Sequence, residues 1–530
     1  MSGKPNHAVL TLDNLFRSAV RTYGDRPALV SASRRFSYTE FGDVVSRLAG
    51  YLAVHGIGAG DPVSAFLTNG PELPMVMFAC ARLGAVFNPV NYRLGPSELL
   101  YILEDASARV LFFDDAGRDV VERIRGKVNG PLLLVYVGNQ DTGYADSFYA
   151  AVNVQERYTG SAAAEEQDCL LLYTSGTTGK PKGVLHTQRN VVLTGMTWLL
   201  YNRIGPADRV TMLGALYHIG PLLSIFLPAV LAGAAFHIAQ GSDPLELLQF
   251  FKDNDITTVW GVPTVVNEIS SRAIARGMGL PLRLIQYSGA PMPVAVLAKI
   301  KSAFGNVSLV NAYGMTECDA VTALWAEEHD SHPGSIGRAV PNTEVRLVAV
   351  GSRDIDARVA TGELGEVVVK SPVVMSGYHR LPGKTVEVLV DDWYFTGDVA
   401  RCDKDGYLYL EGRVDDLIIS GGENISPVEV ENVLYKHPKV KDVSVVGIPD
   451  EKWGEVVTAF VVGTDESLTS AELDQFCKNS DELARYKRPR KYIFLRDLPK
   501  TGSGKIDKKP LKGGGIKPYQ VITERGDEIK

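Results

Sequence analysis

Four segments of this chain concentrate residues that can do chemistry. The first is Tyr173-Thr-Ser-Gly-Thr-Thr-Gly-Lys-Pro-Lys-Gly183, directly after the apolar run Cys169–Leu172. That order reads as a buried strand delivering a donor-rich loop. Gly176, Gly179 and Gly183 let the backbone approach a ligand and turn N–H groups inward. Thr174, Ser175, Thr177 and Thr178 add hydroxyl donors, while Lys180 and Lys182 add positive charge. Such a loop suits a polyphosphate. It is not a Walker loop, because Gly176 and Gly179 are too close in sequence and Pro181 after Lys180 stops a helix from crossing the phosphates. The second segment, Asn311-Ala-Tyr-Gly-Met-Thr-Glu317, offers an aromatic face, a hydroxyl and a carboxylate. The third joins Tyr394–Asp398 to Gly412–Asp416, an acid and a base with a short β-like stretch between them. The fourth, Pro499-Lys-Thr-Gly-Ser-Gly-Lys505, sets a lysine on a glycine-rich turn.

In this order the four segments resemble the adenylate-forming superfamily of acyl-CoA synthetases, adenylation domains and luciferases, from about residue 10 to residue 512. The likeness is greatest to fatty-acyl- or aryl-CoA ligases. It implies a two-step reaction in which ATP activates a carboxylic acid as an acyl-adenylate with release of pyrophosphate, and CoA then takes the acyl group. Adenylation drives a carboxylate onto the α-phosphorus, so two anions must meet and positive charge is the main need. At ~4 Å and an effective dielectric of ~20 one unit charge contributes about 4 kcal/mol. Lys505 matches the family lysine that carries this charge from a C-terminal lid. Tyr313 can stack on adenine, Asn311 can meet the purine edge, and Thr316 can donate to the α-phosphate. Glu317 is a hard oxygen ligand of the kind Mg²⁺ accepts. Asp398 can accept from both ribose hydroxyls, and Arg413 resembles a family arginine that also reaches the ribose. The resemblance adds Gly289, Ala290, Pro291, Ala312 and Gly314 to the nucleotide-binding set. His218 matches a family histidine beside the acid pocket. Asp415 falls at the family's hinge, and Ile419–Asn424 resembles the lid face that swings in for thiolation, where Gly421 and Gly422 leave room for the pantetheine arm of CoA.

The elements expected to hold these groups alternate in type. Asp13–Tyr23, Ser46–His55 and Glu72–Leu83 have helical periodicity. Pro27–Val30, Pro62–Leu67, Val210–Leu213, Thr258–Trp260 and Leu284–Ser288 read as strands. Such alternation predicts α/β layers around mostly parallel sheets. From about residue 334 to 412 the texture breaks into short pieces such as Glu366–Lys370 and Tyr407–Glu411, which suggests a small barrel-like subdomain. A smaller α+β segment follows, with a helix at Pro427–Tyr435 and a strand at Val443–Val446. The expected fold is therefore α/β: a large multi-subdomain body (1–412) of two α/β-layered sheets plus a small β-barrel-like subdomain, a hinge (413–416) and a mobile α+β C-terminal lid (417–530).

Composition narrows the partners. The chain has 530 residues, 45% apolar and 22% charged, enough for a large core. A net charge of −7 gives no reason to expect nucleic acid. Cys80, Cys169, Cys318, Cys402 and Cys477 show no Cys-x-x-Cys spacing and read as reduced, mostly buried thiols of a cytoplasmic protein. No signal peptide or peroxisomal address is evident. Ile219–Ala239, broken by Pro221, Ser224, Pro228, Gly233 and His237, reads as a buried helix followed by a strand and not as a membrane span. A homodimer stays open. Tyr217–Phe226 contains no acid, which argues against an amino acid substrate, and the residues after Lys505 are too few for a carrier domain. The pocket stretches 217–226, 259–266, 286–291 and 311–325 contain no Lys or Arg, so a second substrate carboxylate would be buried unpaired. A monocarboxylate with an apolar tail fits, either a fatty acid or an aryl-propenoic acid. Gly220, Ser224, Gly261, Val262 and Val266 suggest space for a sizeable tail. A luciferase-like enzyme with a non-CoA acceptor would share every motif, and a nucleotide-binding pseudoenzyme is the reading from another class.

Overall fold

The computed structural model describes residues 10–160, 163–174, 180–241, 243–290, 292–421, 423–500, 506–514 and 520–523. Two compact units divide the chain: residues 1–289, 294–344 and 369–394 form the first, and residues 290–293, 345–368 and 395–530 form the second.

The first unit is built on two sheets. Eight strands make one of them, with Val86–Pro89, Pro62–Phe66, Val110–Asp114 and Leu133–Val137 running parallel. Asp168–Thr174 joins Val86–Pro89 and turns back antiparallel into Lys182–Thr187, with Thr174 opposite Lys182. The nine-stranded sheet runs parallel through Pro27–Val30, Ala235–His237, Arg209–Leu213, Thr258–Gly261, Leu284–Ser288 and Ser308–Met315. It then reverses into Cys318–Leu324. Helices cover the sheets as expected for parallel strands buried on both faces.

Local chemistry explains the helices. Glu72–Leu83 starts after Pro71 and stops at Gly84, whose φ of 69° only glycine adopts without strain. Residues Leu73–Leu83 are all buried, because the segment is apolar on every side. Tyr38–Val54 starts eight residues before the expected Ser46, at a capping box in which Ser37 and Glu40 satisfy each other's backbone N–H groups. The stretch from Ile219 forms a π-helical turn at Gly220–Phe226, a short helix at Leu227–Leu231 and a strand at Ala235–His237. No helix among the described residues is long and apolar enough to cross a membrane.

The second unit holds a small antiparallel sheet in which Asp398 faces Arg413 across Trp393–Cys402 and Leu408–Arg413. Beyond it, Val440–Asp450 and Gly454–Gly463 form a long hairpin extended by Lys491–Phe494 and Gln520–Thr523. Pro427–Leu434 packs on this sheet over its own apolar core, which includes Val430, Val433, Val445, Val457 and Phe494.

Candidate active site

Thr316 and Glu317 form the two-residue turn of the hairpin between Ser308–Met315 and Cys318–Leu324. The turn needs Gly314 for its own geometry, since a Cβ there would run into the Asp319 carbonyl oxygen. Three contacts hold it. The buried His186 ring nitrogen Nε2 lies 2.7 Å from the Thr316 carbonyl, a distance at which a neutral Nε2–H donates. Burial pushes the His186 pKa down to about 4, so the ring stays neutral at physiological pH. The Met375 N–H donates to the Glu317 carbonyl at 2.8 Å, and the Tyr378 hydroxyl donates to Glu317 Oε1 at 2.7 Å.

These contacts join the turn to the base of the glycine-rich loop. Tyr378 pairs with Val184 at the edge of the eight-stranded sheet, and Lys182 Nζ lies 4.3 Å from the centre of the Tyr378 ring. Lys180 Nζ lies 5.5 Å from the Tyr101 ring, whose hydroxyl donates to the Pro181 carbonyl. Thr174 ends the incoming strand opposite Lys182. Ser175, Gly176, Thr177, Thr178 and Gly179 lie outside the described residues, as do Pro291, Gly422 and Lys505.

Further expected positions lie on the strands and loops of the nine-stranded sheet and at its ends. Asn311 is buried and donates to the Ser335 carbonyl at 2.9 Å. Ala312 and Tyr313 are buried on the same strand. Gly289 ends Leu284–Ser288 with a φ of 84°, and Gly289 and Ala290 are exposed. His218 is half-buried, its ring 4.4 Å from that of Tyr217. Asn69 holds the loop before it, donating to the Gly214 carbonyl and accepting from the Leu216 N–H.

The pocket glycines do not leave the expected space. A Cβ on Gly220 would lie 2.9 Å from the Trp260 ring, and Gly214 is equally close to the same ring. At Gly261 a Cβ would meet Val266 at 2.9 Å. These glycines make room for protein side chains, Trp260 above all.

In the second unit Asp398 is buried and pairs with Arg413 Nη1 at 3.0 Å, while Arg413 stays half-exposed. Asp415 sits in a short turn, Val414–Asp416, where Lys512 Nζ donates to the Asp415 carbonyl and pairs with Asp416. Gly421 adopts a φ of 62° and donates its N–H to the Trp453 carbonyl.

His186, Tyr378 and Asp319 were not among the candidates from sequence. The signal available for Tyr378 was a lone Gly-Tyr pair between turns, and for His186 a histidine inside an apolar strand.

Residues 16–379 match the AMP-binding enzyme family, and residues 429–505 match the AMP-binding enzyme C-terminal domain. A feruloyl-CoA synthase of Amycolatopsis sp is 36% identical over 480 residues, covering 90% of this chain and 92% of that protein. The long-chain-fatty-acid–CoA ligase FadD13 of Mycobacterium tuberculosis is 31% identical over 491 residues, covering 91% and 93%. Among solved structures, o-succinylbenzoate CoA synthetase (MenE) from Bacillus subtilis in complex with its acyl-adenylate intermediate superposes with a TM-score of 0.80 at 28% identity, covering 94% of this chain and 97% of that one. The chain belongs to the AMP-binding enzyme family. Its activity is that of an AMP-forming acid–CoA ligase working through an acyl-adenylate, with ATP and CoA as the substrates that fit the family.

Proposed function

We propose that this ligase activates a monocarboxylic acid with a compact aromatic tail. The observation that carries the reading is Trp260, whose ring lies against Gly214 and Gly220; on this reading it takes up room that a long flexible chain would use. A flat ring stacked against an indole is favourable beyond its buried area. The feruloyl-CoA synthase among the relatives acts, by its name, on an acid of this kind.

The residues divide the work as follows. The loop from Thr174 to Lys180 and its lysines hold the phosphates, and Tyr313 and Asn311 hold the base. Asp398 receives the ribose hydroxyls, with Arg413 keeping its carboxylate oriented. Thr316 presents its hydroxyl to the α-phosphate, and His186 fixes the backbone that aims it. Glu317 fits Mg²⁺: it is a hard oxygen donor, and Tyr378 occupies only Oε1. The ion, when bound, supplies positive charge to the phosphates. His218 borders the incoming carboxylate. Lys505 supplies the charge that lets acid and phosphate meet, and rotation of the lid (417–530) about Asp415 then withdraws it so that Gly421 and Gly422 can admit the CoA arm.

The test is pyrophosphate release across benzoic, phenylpropenoic and straight-chain acids, with thioester formation followed on adding CoA. Aromatic acids should give the higher kcat/KM, by ~10-fold or more over alkanoates of similar size. A preference for long alkanoates would overturn the reading.

A further inference from the structure

One buried carboxylate is unused by this mechanism. Asp319 lies two residues past Glu317 and is 7% exposed. Its Oδ2 accepts from the Trp198 indole N–H at 3.2 Å and from the Ser224 hydroxyl at 2.7 Å. Ser224 belongs to the π-helical turn Gly220–Phe226, the same turn that abuts Trp260. An acid therefore does reach the pocket segment, from a strand remote in sequence. Its second oxygen, Oδ1, has no partner among the described residues, and a carboxylate can accept roughly four hydrogen bonds.

The surroundings are polar but incomplete. Strand register puts Trp260, Gln286, Ala312 and Ala323 on one face of the nine-stranded sheet, and Asp319 lies four residues along from Ala323. Asn202 bridges this face to the turn, donating to the Ser224 carbonyl and to Gln286 Oε1. Trp260 Nε1 and Gln286 Nε2 are buried with no partner among the described residues. A buried charge met by only two neutral donors is costly unless something further donates to it.

Resting on the assignment of the pocket segment above, we infer that Asp319 is a specificity residue, selecting acids whose apolar tail carries a hydrogen-bond donor such as a phenolic hydroxyl. The hydroxyl donates to Asp319 Oδ1 while Ser224 and Trp198 hold the carboxylate in place. An acid of the same size without the donor leaves that oxygen unpaired, so it binds less well in the transition state.

The experiment compares kcat/KM for pyrophosphate release with 4-hydroxy-, 4-methoxy- and unsubstituted phenylpropenoic acid, in the natural protein and in Asp319→Asn. The methoxy compound keeps size and acceptor but removes the donor. The natural enzyme should favour the hydroxy acid ~10-fold or more over both others, and the isosteric amide should reduce that ratio toward one. A ratio near one in the natural enzyme overturns the inference, and so does an unchanged ratio in Asp319→Asn. If only straight-chain acids release pyrophosphate, the aromatic reading has failed separately. The inference is then decided by an ω-hydroxy alkanoate against its unsubstituted parent: a ~10-fold preference upholds it, and none overturns it.

Discussion

Glu317 carries its charge on a half-buried turn, where the Tyr378 phenol donates to it. Removing the Tyr378 hydroxyl as Tyr378→Phe keeps the ring under Lys182 but frees Glu317 Oε1. A hydrogen bond to a charged group is worth ~1.5–3 kcal/mol, so adenylation should fall by ~10-fold or more with a raised Mg²⁺ requirement. Pyrophosphate release titrated with Mg²⁺ measures both, and an unchanged Mg²⁺ curve would separate Tyr378 from the ion. Lys505→Ala should cut acyl-adenylate formation by ~100-fold or more while leaving the fold intact, as loss of a transition-state donor does; circular dichroism and the same release assay check the two halves. The candidates at Thr316, Glu317 and Asp398 were legible because each carries its chemistry in its own side chain, next to a glycine or a turn. His186, Tyr378 and Asp319 were not, because each acts through a partner 130, 61 or 95 residues away, brought near only by strand pairing.

At the scale of elements, a neutral imidazole joins the strand Lys182–Thr187 to the hairpin turn at Thr316. The sign of its pH dependence follows from a folded pKa of about 4 against the ordinary histidine value of 6.5. Stability from neutral His186 is fully present above the unfolded pKa. As pH falls below it, the unfolded chain takes up a proton that the folded chain refuses, and stability is lost until the pH reaches the folded value. At pH 5 the loss is about 2 kcal/mol. His186→Gln, which keeps a donor for the Thr316 carbonyl but cannot titrate, should therefore lose less melting temperature between pH 7 and pH 5 than the natural protein. Equal losses would assign the acid sensitivity elsewhere. Element identity was readable wherever punctuation was sharp: Glu72–Leu83 and Leu284–Ser288 fall where the apolar runs and their flanking turn residues put them. The start of Tyr38–Val54 was hidden because Gly42 and Asp43 interrupt its apolar spacing, although Ser37 and Glu40 already spelled a capping box. The π-helical turn had no such signature, and its wide register shows in the Leu227 N–H reaching back to the Leu222 carbonyl.

For the whole molecule, the chain leaves the first unit briefly at residues 290–293, passes out again at residue 345, returns at 369 and leaves once more at 395. Sequence texture caught the change to short β pieces but not this return, because residues 369–394 pair with strands far upstream, as Tyr378 does with Val184. If Asp415 is the pivot for lid rotation, Asp415→Pro, by fixing φ, should slow thioester formation more than adenylate formation. Stopped-flow measurement of each half-reaction checks it, and equal losses would remove the pivot from 415.

The crowding at Gly314 has a practical corollary for anyone redirecting this catalyst toward new feedstocks. Position 314 admits no substituent at all, because the neighbouring strand's carbonyl already occupies the volume. Diversity spent there is wasted, whereas codons 224, 260 and 319 are the places where, on the proposed reading, it would meet the acid's far end.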